Sequence, residues 1–397
     1  MEGRMRYLIS FCGLLLVFAL AFLVSKNKKE IKYKNILIML IIQIILAALL
    51  LNTKFGYVLI KGITKIFDHL LASANAGISF VFGGIANEGE SPFFLGVLLP
   101  IVFVSVLIGI LQHFKILPFI MKWIGFLLSK VNGMGKLESY NAVASAMVGQ
   151  SEVFITVKKQ LHSIAPQRMY TLCASAMSTV SMSVVGAYMT MIDPKYVVTA
   201  IVLNLFGGFI IVSIINPYNV EENEDILKIE DDHKQTFFQM LGEYIMDGFK
   251  VAIIVGAMLI GFVALMDFIN IIFEMIIGIS FQEILGYIFA PIAFLMGIPW
   301  EDAISAGGIM ATKLVTNEFV AMISLGEIAK SMSEHTLGII SVFLVSFANF
   351  SSIGIITGAV KGLNEKQGNV VARFGLKLLY GATLVSILTA IIVGLVI

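Results

Sequence analysis

The sequence predicts an all-α integral membrane protein of eight transmembrane helices and two oppositely oriented re-entrant helical hairpins, arranged as an inverted repeat. Three observations lead there. The 397 residues are 58% hydrophobic and 13% charged, with a mean hydropathy of +0.94, which is more apolar surface than a soluble core could enclose. Eight runs are long enough to cross a bilayer core about 30 Å thick, which takes roughly 20 helical residues. Two further segments are apolar but interrupted by carboxylates and helix breakers.

The runs follow one another with short connections. Residues 8–24 form a first span rather than a cleaved leader, because Ser25 and Lys26 follow without a small-residue cleavage pattern. Spans follow at 35–51, 93–114, 171–192, 197–215, 251–272, 337–360 and 374–397. Segment 52–91, rich in Gly, Ala and Ser, and the similarly mixed segment 281–297 suit interfacial helices. Segments 133–163 and 301–330 are each about 30 residues long. Half of that is roughly 22 Å of helix, enough to pass mid-bilayer and return but too short for two crossings. Both are expected to be re-entrant, although hydropathy alone also admits one ordinary span apiece.

Charge supports this layout. With eight crossings and an external N-terminus, nineteen Lys and Arg fall in inside loops and seven outside, as the positive-inside rule requires. Both termini are then external, and the hairpin mouths open on opposite sides. Opposed units of like plan are the layout of many secondary transporters. The expected organisation is N-terminal spans and an interfacial helix over 1–92, a scaffold span over 93–132, a first transport repeat over 133–216, a linker, scaffold span and interfacial helix over 217–300, and a second transport repeat over 301–397.

Net charge is +1 from 27 basic and 26 acidic residues, so nothing points to nucleic acid as a partner. Cys12 and Cys173 lie in apolar runs, read as packing residues that offer neither a disulfide framework nor a thiolate metal site. The acidic segment 221–232 matches no calcium loop and reads as solvated. His113 and His162 sit at membrane borders, and no nucleophile and base stand at a recognisable spacing, so an enzyme is not expected. A ring-lined channel also fits poorly, because the carboxylates lie on broken hairpins.

Polar residues inside apolar segments mark the expected site, since a carboxylate in lipid costs about 2.5 to 3.5 kcal/mol or more and must face protein, water or ligand. The first hairpin offers Gln150, Ser151 and Glu152 after Gly149, and the second offers Glu318 within residues 312–319. Glu152 could alternatively be a structural acid paired with a lysine such as Lys313. The span at 337–360 carries Phe347, Asn349 and Ser352, the last two sharing a helix face. The span before it in kind, 171–192, carries a run of hydroxyls from Ser175 to Ser183. Two carboxylates, two amides, several hydroxyls and an aromatic face suit a small neutral polar solute with a ring.

The strings GQSEVF at 149–154, STVSMSVVGAY at 178–188, ATKLVTNEF at 311–319 and FANFSSIGI at 347–355 resemble the signature of the concentrative nucleoside transporters, in particular the eight-span bacterial members. The resemblance implies an elevator-type homotrimer in the cytoplasmic membrane, importing nucleosides by cation symport with no resident cofactor. It assigns the base to Gln150, Ser151, Glu152 and Val184, and the ribose to Glu318, Phe347, Asn349 and Ser352. A residue larger than Gly149 is expected to narrow the base pocket and change purine against pyrimidine preference. Sodium-coupled relatives carry an Asn where this chain has Ser145, with Val148, Thr179 and Val180 completing the match. A hydroxyl reaches less far than an amide, so the expected coupling ion is a proton, taken by Glu152 or Glu318, and no metal site is firmly expected. A sodium-coupled nucleoside symporter, or a carrier of free nucleobases or another small polar metabolite, is the alternative.

Overall fold

The computed structural model describes residues 3–86, 92–220, 227 and 235–397, and the regular elements in them are all helical. Helices α1 (Gly3–Leu23) and α2 (Tyr33–Asn52) are the first two spans, and α3 (Lys54–Phe82) is a 29-residue amphipathic helix that buries only Gly56, Ile60, Phe67 and Ala74. A π-helical turn, Phe94–Leu98, leads into α4 (Pro100–His113), whose proline sits in the first turn, where its missing N–H costs nothing. Next come α5 (Ile116–Asn132), then α6 (Lys136–Val148), α7 (Val153–Thr156) and α8 (Lys158–Leu161), which make the first hairpin. The first repeat closes with α9 (Pro166–Ser178), α10 (Met182–Met191) and α11 (Pro194–Ile215).

The second half begins with α12 (Phe237–Ile277), a 41-residue helix opened by a Thr236–Gln239 capping box and closed by left-handed Gly278. It is about 60 Å long, roughly twice the bilayer core. Helices α13 (Phe281–Leu295) and α14 (Trp300–Val315) fold back on each other at 118°. They pack so closely that a Cβ on Gly286 would stand 2.7 Å from the Ile304 carbonyl oxygen, and one on Gly307 2.6 Å from that of Gly286. Then α15 (Glu318–Ile328) completes the second hairpin, followed by α16 (Glu334–Leu344), α17 (Phe350–Leu363), α18 (Glu365–Arg373) and α19 (Gly375–Val396).

Of the eight expected crossings, two are not continuous helices. Residues 171–192 fall in α9 and α10, separated at Thr179 to Ser181, and residues 337–360 fall in α16 and α17, separated at Val345 to Asn349. The cause is local: Ser181 accepts from the Ser183 amide and Asn349 from the Ser352 amide, so each restarts a helix as its N-cap. Among the described residues, seven helical segments are long and apolar enough to cross a membrane. The shorter helices α16 and α17 together run the length of α19: His335 Nε2 lies 3.1 Å from the Gly394 carbonyl at one end, and Ile353 packs on Gly375 at the other.

That pair also shows the opposed hairpins. The second hairpin's mouth is tied to the start of α16, where Thr336 Oγ1 donates to Asp302 at 2.6 Å. The first hairpin's base is tied to α18 on the opposite face, where Gln367 Nε2 donates to the carbonyls of Leu161 and Ile164 at 2.7 and 2.9 Å. Both ends of the chain share the first of these faces, because Arg6 Nη2 donates to the Ile397 oxygen at 2.8 Å.

Three expectations change. Helix α5 was hidden inside the segment assigned to a scaffold span, because Lys122 and Lys130 interrupt its apolar pattern; it buries Leu117, Met121, Gly125, Leu128 and Asn132 along one face. Segment 281–297 is no isolated interfacial helix but the close-packed backing of the second hairpin. Of the two cysteines, Cys173 is buried as expected, whereas Cys12 is exposed. The acidic segment 221–232, apart from Leu227, lies outside the described residues.

Below the first hairpin, the buried Glu138 of α6 takes Arg168 of α9 through both oxygens, at 2.5 and 2.9 Å, and Tyr218 Oη lies 3.1 Å from Glu138 Oε1 and 3.0 Å from Thr171 Oγ1. Removing one partner of such a pair strands a charge. Glu138→Ala should therefore cost about 3 kcal/mol or more, read as a lower thermal unfolding midpoint in detergent with Glu138→Asp as the milder control.

Candidate functional site

The site is made where four helices are interrupted. The hairpin tips, Gly149 to Glu152 and Thr316 to Asn317, meet the breaks at Thr179 to Ser181 and Val345 to Asn349 around a cavity of about 250 Å³. Every residue expected to touch substrate lines it: Gln150, Ser151, Glu152, Val184, Glu318, Phe347, Asn349 and Ser352. Of the residues expected to hold a cation, Val148 lies on the wall with the two acids, while Ser145, Thr179 and Val180 are buried behind it.

Such a gathering of broken helices exposes backbone groups that must find partners. Asn317 caps α15 by accepting from the Val320 amide at 3.0 Å, and the Asn349 side chain accepts from the Ser352 amide at 2.9 Å. The two mid-span breaks brace one another through the Phe347 amide and the Thr179 carbonyl at 3.1 Å. Asn204 Nδ2 donates to the Val345 carbonyl at 2.7 Å. Lys313, fully buried, donates to the Phe343 carbonyl at 2.5 Å, to Ser346 Oγ at 2.7 Å and to Ser386 Oγ at 3.3 Å, with its ammonium over the Phe343 ring. Lys313 therefore holds the second break in place and forms no ion pair with Glu152.

The two acids differ in setting. Glu318 is 4% exposed, and both its oxygens are held: Oε1 accepts from Tyr188 Oη at 2.8 Å and Oε2 from Asn349 Nδ2 at 3.1 Å. The Asn349 amide cannot be turned the other way, because its oxygen accepts from a backbone amide that can only donate. Glu152 is exposed and accepts from Ser151 Oγ at 3.0 Å. It lines a second cavity of about 220 Å³ as well, which passes between α4 and α12 to His113 and Gln235.

Two buried atoms of the wall, Gln150 Oε1 and Ser352 Oγ, have no hydrogen-bond partner among the described residues. Opposite them α12 contributes Val251, Ile254, Val255 and Met258, a wholly apolar face. Sequence reasoning missed this wall because its residues look like any lipid-facing stretch. It also missed Asn317 and Tyr188, although both lie inside strings singled out for other residues.

Gly149 carries a backbone constraint in addition to the expected one of size. Its φ is +110°, a region that residues with a Cβ avoid. A Cβ there would stand 2.9 Å from Glu152 Oε2 and 3.2 Å from Ser181 Cβ. The glycine is thus a backbone requirement, and a side chain there would also press on Glu152 and Ser181 of the cavity wall. Gly149→Ala should accordingly cost about 1 to 3 kcal/mol of stability, read as a lower thermal unfolding midpoint in detergent.

Comparison with known proteins agrees with this geometry along the whole chain. Residues 12–85 match the family model described as Na+ dependent nucleoside transporter N-terminus, residues 94–195 the model described as nucleoside recognition, and residues 196–394 the Na+ dependent nucleoside transporter C-terminus. The chain is 36% identical over 394 residues to the purine nucleoside transport protein NupG of Bacillus subtilis (strain 168), covering 98% of this chain and 99% of that one. Its fold is similar to that of CNTnw in an inward-facing substrate-bound state, with a TM-score of 0.93 and 30% identity over 99% and 98% of the two chains. A doubly substituted form of CNTnw in an outward-facing state is equally similar, with a TM-score of 0.93, 30% identity and 99% coverage of both chains.

Proposed function

Because the chain belongs to the Na+-dependent, concentrative nucleoside transporter family, we propose that its central cavity carries one nucleoside at a time into the cell, held by both hairpins at once. Cation-coupled nucleoside transport by alternating access follows from that membership, as does a multi-pass position in the cytoplasmic membrane. The relatives are transporters rather than enzymes. The observation that carries the substrate assignment is the cavity wall itself. Two carboxylates from opposed hairpins line one space, with two orphaned buried polar atoms, Gln150 Oε1 and Ser352 Oγ, beside them. An orphaned buried polar atom costs about 1 to 3 kcal/mol unless what enters supplies its partner.

In this reading Gln150, Ser151, Glu152 and Val184 take the base, and Glu318, Phe347, Asn349 and Ser352 take the ribose. Each oxygen of Glu318 already accepts one protein donor and keeps a further lone pair for a sugar hydroxyl. Purine nucleosides are the first substrates to test, given the stated substrate of NupG. The protein works as a homotrimer with both termini outside, a side chosen by the positive-inside count. The second cavity, running from Glu152 to the α4 and α12 ends, is then the inward exit.

For the coupling ion, the family descriptions favour sodium. Ser145 Oγ donates to the Asn141 carbonyl at 2.7 Å and Thr179 Oγ1 to that of Ser175 at 3.0 Å, which leaves the lone pairs of both hydroxyls free for a cation. The proton is the second reading, carried by the shorter reach of Ser145 and by Glu152. Glu152 faces both cavities and accepts from one hydroxyl, whereas both oxygens of Glu318 are already engaged by protein donors.

Purified protein in liposomes, with sodium and pH gradients imposed separately, should accumulate labelled adenosine or uridine against its gradient. Accumulation driven by sodium at constant pH supports the sodium reading, accumulation under a pH gradient without sodium supports the proton, and competition by free bases as strong as by nucleosides would exclude the ribose assignment. Glu318→Gln should weaken nucleoside binding by about 2 to 4 kcal/mol, because an amide nitrogen there would face two donors. Binding near the wild-type level would remove Glu318 from the site.

A further inference from the structure

Tyr188 does not line the cavity, yet it touches the residue on which the sugar assignment depends. It is fully buried on α10, in the first repeat, and its hydroxyl donates to Glu318 Oε1 of the second hairpin at 2.8 Å. Its ring packs on Phe319 at 5.0 Å between centroids. The other carboxylate oxygen is fixed by Asn349, whose amide is itself fixed by the Ser352 backbone. The carboxylate plane is thus set from both sides, by one partner from each repeat.

We infer that Tyr188 is a positioning residue for sugar recognition: its hydroxyl aims the free lone pair of Glu318 Oε1 at a ribose hydroxyl and so sets how strongly the transporter distinguishes ribonucleosides from deoxynucleosides. Three features carry this. A carboxylate on a flexible side chain can rotate about its terminal bond, and a single anchor at Oε2 leaves Oε1 free to swing. The Tyr188 bond removes that freedom through a charge-assisted contact in a dry setting, where such bonds are strongest. It also crosses between repeats, so the acceptor is aimed only while α10 and the second hairpin hold their present relation.

The inference rests on the nucleoside reading above, and its test separates the two. Wild-type protein and Tyr188→Phe, which keeps the ring and removes the hydroxyl, are compared in liposomes by competition of labelled adenosine uptake with adenosine, 2′-deoxyadenosine, 3′-deoxyadenosine and 2′,3′-dideoxyadenosine. In the variant, apparent affinity for adenosine should fall about tenfold, while that for the dideoxy compound changes less than about twofold, so that discrimination collapses. A 3,5-difluorotyrosine at 188 keeps both ring and hydroxyl and should retain the discrimination, which tests the idea even where the phenylalanine form folds poorly. Equal loss for all four ligands, or unchanged discrimination, would overturn the inference while leaving the nucleoside reading in place. Wild-type protein that takes up none of them would sink that reading instead.

Discussion

The structure depends on one constraint: a helix broken inside an apolar layer leaves amides and carbonyls that water cannot reach, and each must be answered by the protein or by cargo. An unanswered group costs several kcal/mol, and this molecule breaks four helices at one place. The answers are specific. Asn317, Asn349 and Ser181 restart helices, Asn204 and Lys313 take carbonyls around the second mid-span break, and the breaks brace each other through Phe347 and Thr179. Together these answer much of what the breaks expose, and the cavity wall keeps Gln150 Oε1 and Ser352 Oγ unanswered among the described residues.

Most of the site was legible in the sequence because membrane segments make polar residues conspicuous. Glu152, Glu318, Gln150 and Asn349 stand out against apolar neighbours, and a carboxylate there has few physical excuses. What stayed hidden was either ordinary in composition or dependent on distant packing. Val251 and Met258 of α12 carry no mark that separates a cavity wall from a lipid face. Tyr188 sits 130 positions from its partner Glu318, and no local pattern announces such a bond. Helix α5 was obscured for the opposite reason, since its lysines made an amphipathic helix look like a loop. The breaks at Thr179 and Val345 were masked because hydropathy averages over a window longer than the break.

The two acids share a cavity but not a role. Glu318 is enclosed and held through both oxygens by Tyr188 and Asn349, which suits a fixed acceptor. Glu152 is lightly held and opens to two spaces, which suits a group whose environment changes as the molecule moves. A pair of identical carboxylates would make a symmetric site; the inverted repeat instead gives one rigid and one responsive half, through differences as small as a tyrosine on one side and a serine on the other.

The apolar face of α12 carries a mechanical consequence. Every hydrogen-bonding group around the cavity belongs to the hairpins and the broken helices, while the fourth side offers only methyl and methylene surface. A solute gripped by one party and merely brushed by the other meets no directional bond that sliding would have to sever. The long helix can thus act as a low-friction guide rail, along which the loaded half of the molecule glides with its passenger undisturbed.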